Sequence, residues 1–330
     1  MENTINIKKL AKKETKAKVT TYAIIVGTVL IAYTLSMLFV VGWGFMNSFK
    51  SFSEFTDFPL AFPDFSVFGD EPIYDGLVPF FANYQLFFRD VEASWTVNFY
   101  TAFSSEATYY SGSVSGFNAI LYMLWNSVQT VAAGTLLPIY LCCIMGYLTA
   151  NYKYKFSRFI YALVMFTMIV PIVGTGSSML NLHMSLGIYD NMLGFFIWNC
   201  QFTSMYFLIM FAFFEGLSST YFEAAEIDGA SQMKLIISIA IPMANTMIWA
   251  GIVSLFITTW NDYLTPLTYL PSHPTLAYGI WYFSRGDQRF KTMIPPQLAA
   301  SFVLAIPSVV FFVVFRKKLM GNISIGGIKG

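Results

Sequence analysis

Six stretches of this 330-residue chain contain no Asp, Glu, Lys or Arg: residues 19–49, 107–152, 159–189, 191–214, 235–261 and 292–315. Each has a strongly apolar interior. A bilayer core needs about 20 apolar residues per helix, and backbone amides away from water are satisfied within helices. The runs predict six membrane-spanning helices at about Thr21–Met46, Tyr122–Thr149, Phe159–Met179, Leu193–Phe214, Met243–Trp260 and Leu298–Phe315. A seventh charge-free run, Tyr263–Ser284, carries Pro266, Pro271 and Pro274 and reads as a loop, since closely spaced prolines break backbone hydrogen bonding repeatedly. The first run is longer than the roughly 7–15 residues of a signal-peptide core and reads as a retained helix. Pro171, Pro307 and Pro138 are candidate kinks.

Composition agrees with an all-α integral membrane protein. Hydrophobic residues make up 56% of the chain and charged residues 11%, against about 25% charged in a soluble domain. A formal net charge of +1 gives no general attraction to nucleic acid. Cys142, Cys143 and Cys200 lie in apolar stretches without a CxxC pair and read as packing residues. His183 and His273 cannot make a metal site alone, so neither metal nor catalytic residues are expected. An ion-coupled transporter would carry ionisable residues within its spans, and these spans have none. An intramembrane enzyme would need a nucleophile, carboxylate pair or metal at that depth.

Lys and Arg accumulate on cytoplasmic segments. With the N-terminus inside, Lys8, Lys9, Lys12, Lys13, Lys16, Lys18, Lys153, Lys155, Arg158, Lys234, Arg316, Lys317, Lys318 and Lys329 are cytoplasmic, 14 of the 19 basic residues. The chain divides into a basic cytoplasmic tail (1–20), a first span (21–46), an extracellular segment large enough for a small cap (47–120), a five-helix core (121–315) and a cytoplasmic C-terminal tail (316–330). The external segments 47–120 and 262–297 suit either packing or an outside partner.

The internal loop 215–242 is longer than a connector requires. Thr220 and Glu223 have capping-box spacing, which predicts a helix starting near Thr220. Glu223, Ala224, Ala225 and Glu226 favour helix, and Gly229 supplies the stop. The two alanines would let this short helix sit deep in a groove of another protein. Pro242 marks entry to the fifth span.

This loop resembles the EAA loop of ABC-importer permeases: Glu-Ala-Ala, three residues, Gly, nine residues, then Ile-x-Leu-Pro. Here Glu223-Ala224-Ala225 is followed by Gly229 and by Ile239-Ala240-Ile241-Pro242, with Ile241 replacing Leu. Ile227-Asp228-Gly229-Ala230-Ser231 looks like the carbohydrate-uptake, MalG-like branch. That branch's Pro-x-Glu-Leu lead-in is replaced by Ser218-Ser219-Thr220-Tyr221. Trp260-Asn261-Asp262-Tyr263-Leu264, Ala299-Ala300 with Pro307, and the tail Gly326-Gly327-Ile328-Lys329-Gly330 are similar to further elements of the family. The likeness runs from about Leu121 to Gly330.

The resemblance implies a type I importer permease fold with a cytoplasmic coupling helix. It implies a multi-pass plasma-membrane protein with both termini inside, carrying a sugar or oligosaccharide, with an ABC permease for another solute as the alternative. The chain has no GxxxxGK[ST] loop, so ATP and Mg belong to a separate ATPase pair. The further implied partners are a second, related permease chain and an extracellular solute-binding protein. The implied ATPase-coupling residues are Glu223, Ala224, Ala225, Ile227, Asp228, Gly229, Ala230, Ser231 and Pro242. For the substrate pathway, polar side chains in or near spans offer Asn199, Gln201, Thr258, Thr259 and Asn261. Asn181 is a further polar group of this kind. Such residues also serve helix–helix hydrogen bonding.

Overall fold

An apolar run with no polar face has nowhere to hide in a lone chain, and helix α1 (Thr21–Asn47) shows the consequence. None of its most apolar 18-residue window is buried inside the molecule. A helix hydrophobic all round is stable in that position only against lipid or another chain. The computed structural model describes residues 21–64, 72–100, 107–152, 154–170, 174–285 and 291–320. The basic N-terminal tail, Pro171, Lys153 and the glycine-rich C-terminal tail fall outside these residues.

Two further helices are long and apolar enough to span a bilayer. Helix α4 covers Gly116–Asn151, with one π turn at Ala132–Leu136. The widened turn lies just before Pro138, which has no N–H for a helical bond and crowds the preceding turn. Helix α14 (Ile294–Met320) contains Pro307 and ends on Lys317 and Lys318, cations placed at the negative end of its dipole.

The third and fourth expected spans are broken, and the fifth follows a sharp bend. The third is helix α5 (Lys155–Ile169), after which the next described helix, α6, begins at Gly176 and runs to Ser185. Phe159–Met179 is therefore not one helix. The fourth, expected over Leu193–Phe214, is α7 (Met192–Trp198) and α8 (Met205–Glu215), separated at Asn199–Ser204. Helix α9 (Thr220–Ile227) leaves α8 at 73°. Helix α10 (Gln232–Met243) has a π turn at Ile236–Ala240, ahead of Pro242, and meets α11 (Asn245–Trp260) at 71°. Three single helices among the described residues qualify as spans, or five if each bent pair counts as one.

Two expectations need correction. The run Tyr263–Ser284 is not a loop: it forms α12 (Leu264–Tyr269) and α13 (Leu276–Arg285). Pro266 sits in the first turn of α12, where N–H groups lack helical partners anyway, and Pro271 and Pro274 fall in the connection. Nor is the chain wholly helical. Strands β1 (Glu92–Tyr100) and β2 (Ala107–Ser115) pair antiparallel, with Glu92 opposite Ser115 and Tyr100 opposite Ala107.

The described part of the segment 47–120 is folded onto the span ends. It contains α2 (Phe52–Asp57) and α3 (Ala82–Asp90). Asn83 donates through Nδ2 to the carbonyls of Ser48 (2.9 Å) and Lys50 (2.6 Å), and the buried Lys50 Nζ donates to Phe58 O (2.6 Å). Leu86 and Phe87 join a core with Met123, Ile280, Phe283 and Ala300. A second core, around Cys142, Tyr147, Met210, Phe214 and Ile248, lies towards the other end of α4. There α4 and α8 touch at Gly146, where a Cβ would stand 2.8 Å from Met210 Cβ and 2.9 Å from Phe211 N. Small residues allow such backbone approach between apolar helices.

Candidate functional site

Helix α9 carries Glu223, Ala224, Ala225 and Ile227 of the expected coupling residues and is anchored by one buried side chain. Phe222 is its one buried residue. Its ring lies 5.1 Å from Tyr147, which in turn is 5.5 Å from Phe214. The rest of α9 and its C-cap face outward: Glu223, Ala224, Glu226 and Asp228 are exposed, Ala225 is half-buried, and Ile227 is 87% exposed. A large apolar side chain so presented marks a contact surface rather than a core position.

The turn after α9 is built by the backbone. Ala230 N–H bonds Ala225 O (2.9 Å), and Gly229 N–H bonds Glu226 O (3.0 Å). This pair is a Schellman closure, which needs a left-handed residue at Gly229. Gly229 has φ +79, with open space where a Cβ would go. Conformation, not crowding, dictates glycine there. Ser231 then caps α10, its Oγ accepting from Lys234 N. Gln232 Nε2 donates to Glu226 Oε1 (3.1 Å), while Tyr152 Oη donates to Gln232 Oε1, tying the turn to the end of α4. Pro242 is exposed beside the π turn.

The expected capping box is absent. Ser219 is the N-cap and makes no side-chain cap bond; Thr220 is the first helical residue. Thr220 Oγ1 instead shares a hydrogen bond with Ser218 Oγ (2.8 Å). The helix boundary is as expected, but its start does not rest on Glu223.

At about the middle of α4 lies a cavity of about 340 Å³. Gly134 in the π turn forms part of its wall, with room for a Cβ only 3.1 Å from Thr259 Cγ2. Asn199, at the C-cap of α7, and Thr259, near the end of α11, both line it. Of the other expected pathway residues, Gln201 is exposed in the break between α7 and α8. Thr258 donates to Ser254 O and Asn261 to Ile257 O, both on exposed surface. Asn181 lies on α6, also exposed and away from the cavity lining.

His183, Trp198, Asp262 and Tyr269 line the same cavity, and sequence reasoning missed them. The His183 ring packs 4.3 Å from Trp198 and 4.6 Å from Tyr269. Weighing His183 solely as a metal ligand hid it, because its partners are aromatic and 15 and 86 positions away by number. Asp190 pins this wall. Its N–H bonds Tyr269 O (2.9 Å), its Oδ1 accepts from Ser272 N (2.9 Å), and it holds φ 53. Burial raises its carboxyl above the usual range, while the Ser272 hydrogen bonds pull it back. Among the described residues no group of three His, Cys, Asp or Glu side chains could hold a metal ion.

The family model for the binding-protein-dependent transport system inner membrane component matches residues 143–317. The chain belongs to this family. The matched stretch runs from the end of α4 through α9, the cavity wall and α14, so both candidate sites fall within or beside it. This permease is 24% identical over 216 residues to the arabinooligosaccharides transport system permease protein AraQ of Bacillus subtilis, covering 64% of this chain and 75% of that protein. It is 22% identical over 310 residues to the diacetylchitobiose uptake system permease protein NgcG of Streptomyces coelicolor, covering 92% and 88%. Its fold is similar to a bacterial ABC transporter involved in import of the acidic polysaccharide alginate, with a TM-score of 0.65, 16% identity and coverage of 92% and 98%.

Proposed function

We propose that this permease forms half of the translocation pore of an ATP-driven importer for a sugar or oligosaccharide, and that α9 is the element a separate ATPase grips. The observation carrying this reading is the surface of α9. The helix is moored by the buried ring of Phe222 and by the Gln232–Glu226 hydrogen bond, and Glu223, Ala224, Ile227 and Gly229 are left outward and unpacked. A short helix anchored on one face and bare on the other suits rigid-body transmission between two sites. ATP and Mg are assigned to the partner ATPase, which would draw on α9 as it closes. A second, related permease chain completes the pore, and an extracellular solute-binding protein delivers the sugar. With Ala224 in the cytoplasm, both termini are inside and the chain crosses the membrane six times. The sugar class rests on the relatives' named substrates together with the aromatic and hydroxyl-bearing cavity, since sugar rings pack on aromatic faces and exchange hydrogen bonds with polar side chains. That cavity is this chain's share of the solute path.

The experiment is uptake of labelled oligosaccharide by cells carrying Gly229→Trp or Ala224→Glu. Both variants should reach the membrane and lose uptake. Normal uptake by both would refute the coupling role of α9.

A further inference from the structure

The cavity between α4, α6, α7, α11 and α12 is polar and carries a carboxylate but no cation among its described lining residues. Several of its lining groups spend their donors on carbonyls of their own helices. His183 Nδ1 lies 2.7 Å from Met179 O. A carbonyl only accepts, so Nδ1 is the donor there, and in the neutral tautomer this makes Nε2 an acceptor. Thr130 Oγ1 donates to Asn126 O (2.8 Å), which leaves its lone pairs. Asn199 Nδ2 donates to Phe195 O (2.8 Å), which leaves its carbonyl oxygen and one N–H. Asp262 Oδ1 accepts from the N–H groups of Leu264 (2.9 Å) and Thr265 (3.1 Å), and a carboxylate has no proton to offer. No Lys or Arg is among the described lining residues.

We infer that this wall selects solutes that present hydrogen-bond donors, namely neutral polyhydroxyl or amino sugars, and rejects uronates and other anionic sugars. A carboxylate brought into the cavity would leave water and meet acceptors and the Asp262 charge. It would find only the neutral donors of Asn199, Trp198, Tyr269, Thr259 and Thr265 and no opposite charge, and a desolvated charge without a counter-charge is costly. A hydroxyl or ammonium donates to the acceptors. Trp198 and Tyr269, flanking His183, supply the flat faces on which a sugar ring packs. The inference rests on the cavity being part of the solute path, as proposed above.

The test uses the assembled importer in nanodiscs without its binding protein, so that selection outside the membrane is removed. The signal is the part of the tryptophan fluorescence lost in Trp198→Phe. The probes are cellobiose, the glucosamine disaccharide and digalacturonate. Cellobiose and the glucosamine disaccharide should quench this signal, with digalacturonate weaker by about tenfold or more. Asp262→Asn keeps the accepting oxygen of the turn and removes the charge, and it should narrow that gap. Equal or stronger quenching by digalacturonate overturns the inference and leaves the solute path standing. A gap unchanged in Asp262→Asn also overturns it. Quenching by none of the three contradicts the solute-path reading and the inference together.

Discussion

At the residue scale, two backbone positions carry disproportionate weight. Gly229 has φ +79 and no neighbour within reach of a Cβ. Gly229→Ala should therefore cost only the left-handed penalty, about 1–2 kcal/mol, read as a small drop in the thermal midpoint of the purified importer. Uptake should survive Ala and fail with Trp, which separates local strain from blocked docking. Asp190 holds φ 53 and a hydrogen bond to Ser272. Asn tolerates that backbone and keeps an accepting oxygen. Because burial raises the Asp190 carboxyl, the protonated form is the one the fold prefers. Its contribution is fully present below the ordinary carboxylate pKa and is lost as pH rises through the raised value. Asp190→Asn should match or exceed the parent in thermal stability at pH 7 and flatten the pH dependence above pH 4, while Asp190→Ala should be less stable throughout. Residue-scale reading of the sequence found Gly229 because a helix stop has a local signature. It missed His183 and Asp262 because a cavity wall assembled from α4, α6, α7, α11 and α12 leaves none.

At the element scale, Phe222 is the mooring of α9. Phe222→Ala removes the ring that packs on Tyr147, a loss of about 3–5 kcal/mol where the cavity stays open. ATP hydrolysis by the assembled importer should persist while uptake falls, because α9 would move without drawing on α4. Equal loss of both activities would place Phe222 in docking itself. Gly146→Val should overpack the α4–α8 contact, costing about 1–3 kcal/mol and lowering the thermal midpoint. Several elements were legible from local pattern alone: α1, the long α4 and α9 follow from charge-free length and from Ala-rich sequence ahead of a glycine. The break at Asn199–Ser204 was not, because apolar length alone does not say whether the backbone stays helical across 193–214. The hairpin was legible in principle, since Trp95, Val97 and Phe99 alternate with Ser94, Thr96 and Asn98. Reading 47–120 only as an external segment large enough for a small cap passed over it. Pro266 in the first turn of α12 shows why proline counts mislead: position within a helix decides their effect.

At the scale of the whole molecule, α4 links the two sites. Gly134 lines the cavity and Tyr152 holds the turn after α9, roughly 25 Å apart along a helix rising about 1.5 Å per residue. On the proposed reading, a pull on α9 would reach the cavity through one continuous element, whose π turn at Ala132–Leu136 contributes Gly134 to the cavity wall. This scheme requires α9 to lie on the cytoplasmic side. The direct measurement is cysteine labelling of Ala224→Cys, in a background with the exposed Cys200 changed to Ser, using a membrane-impermeant maleimide. Ala224→Cys should stay unlabelled in intact cells, become labelled once the membrane is opened, and be protected when the ATPase is bound. Equal labelling in intact cells would put α9 beyond the reach of any cytosolic motor and contradict the account.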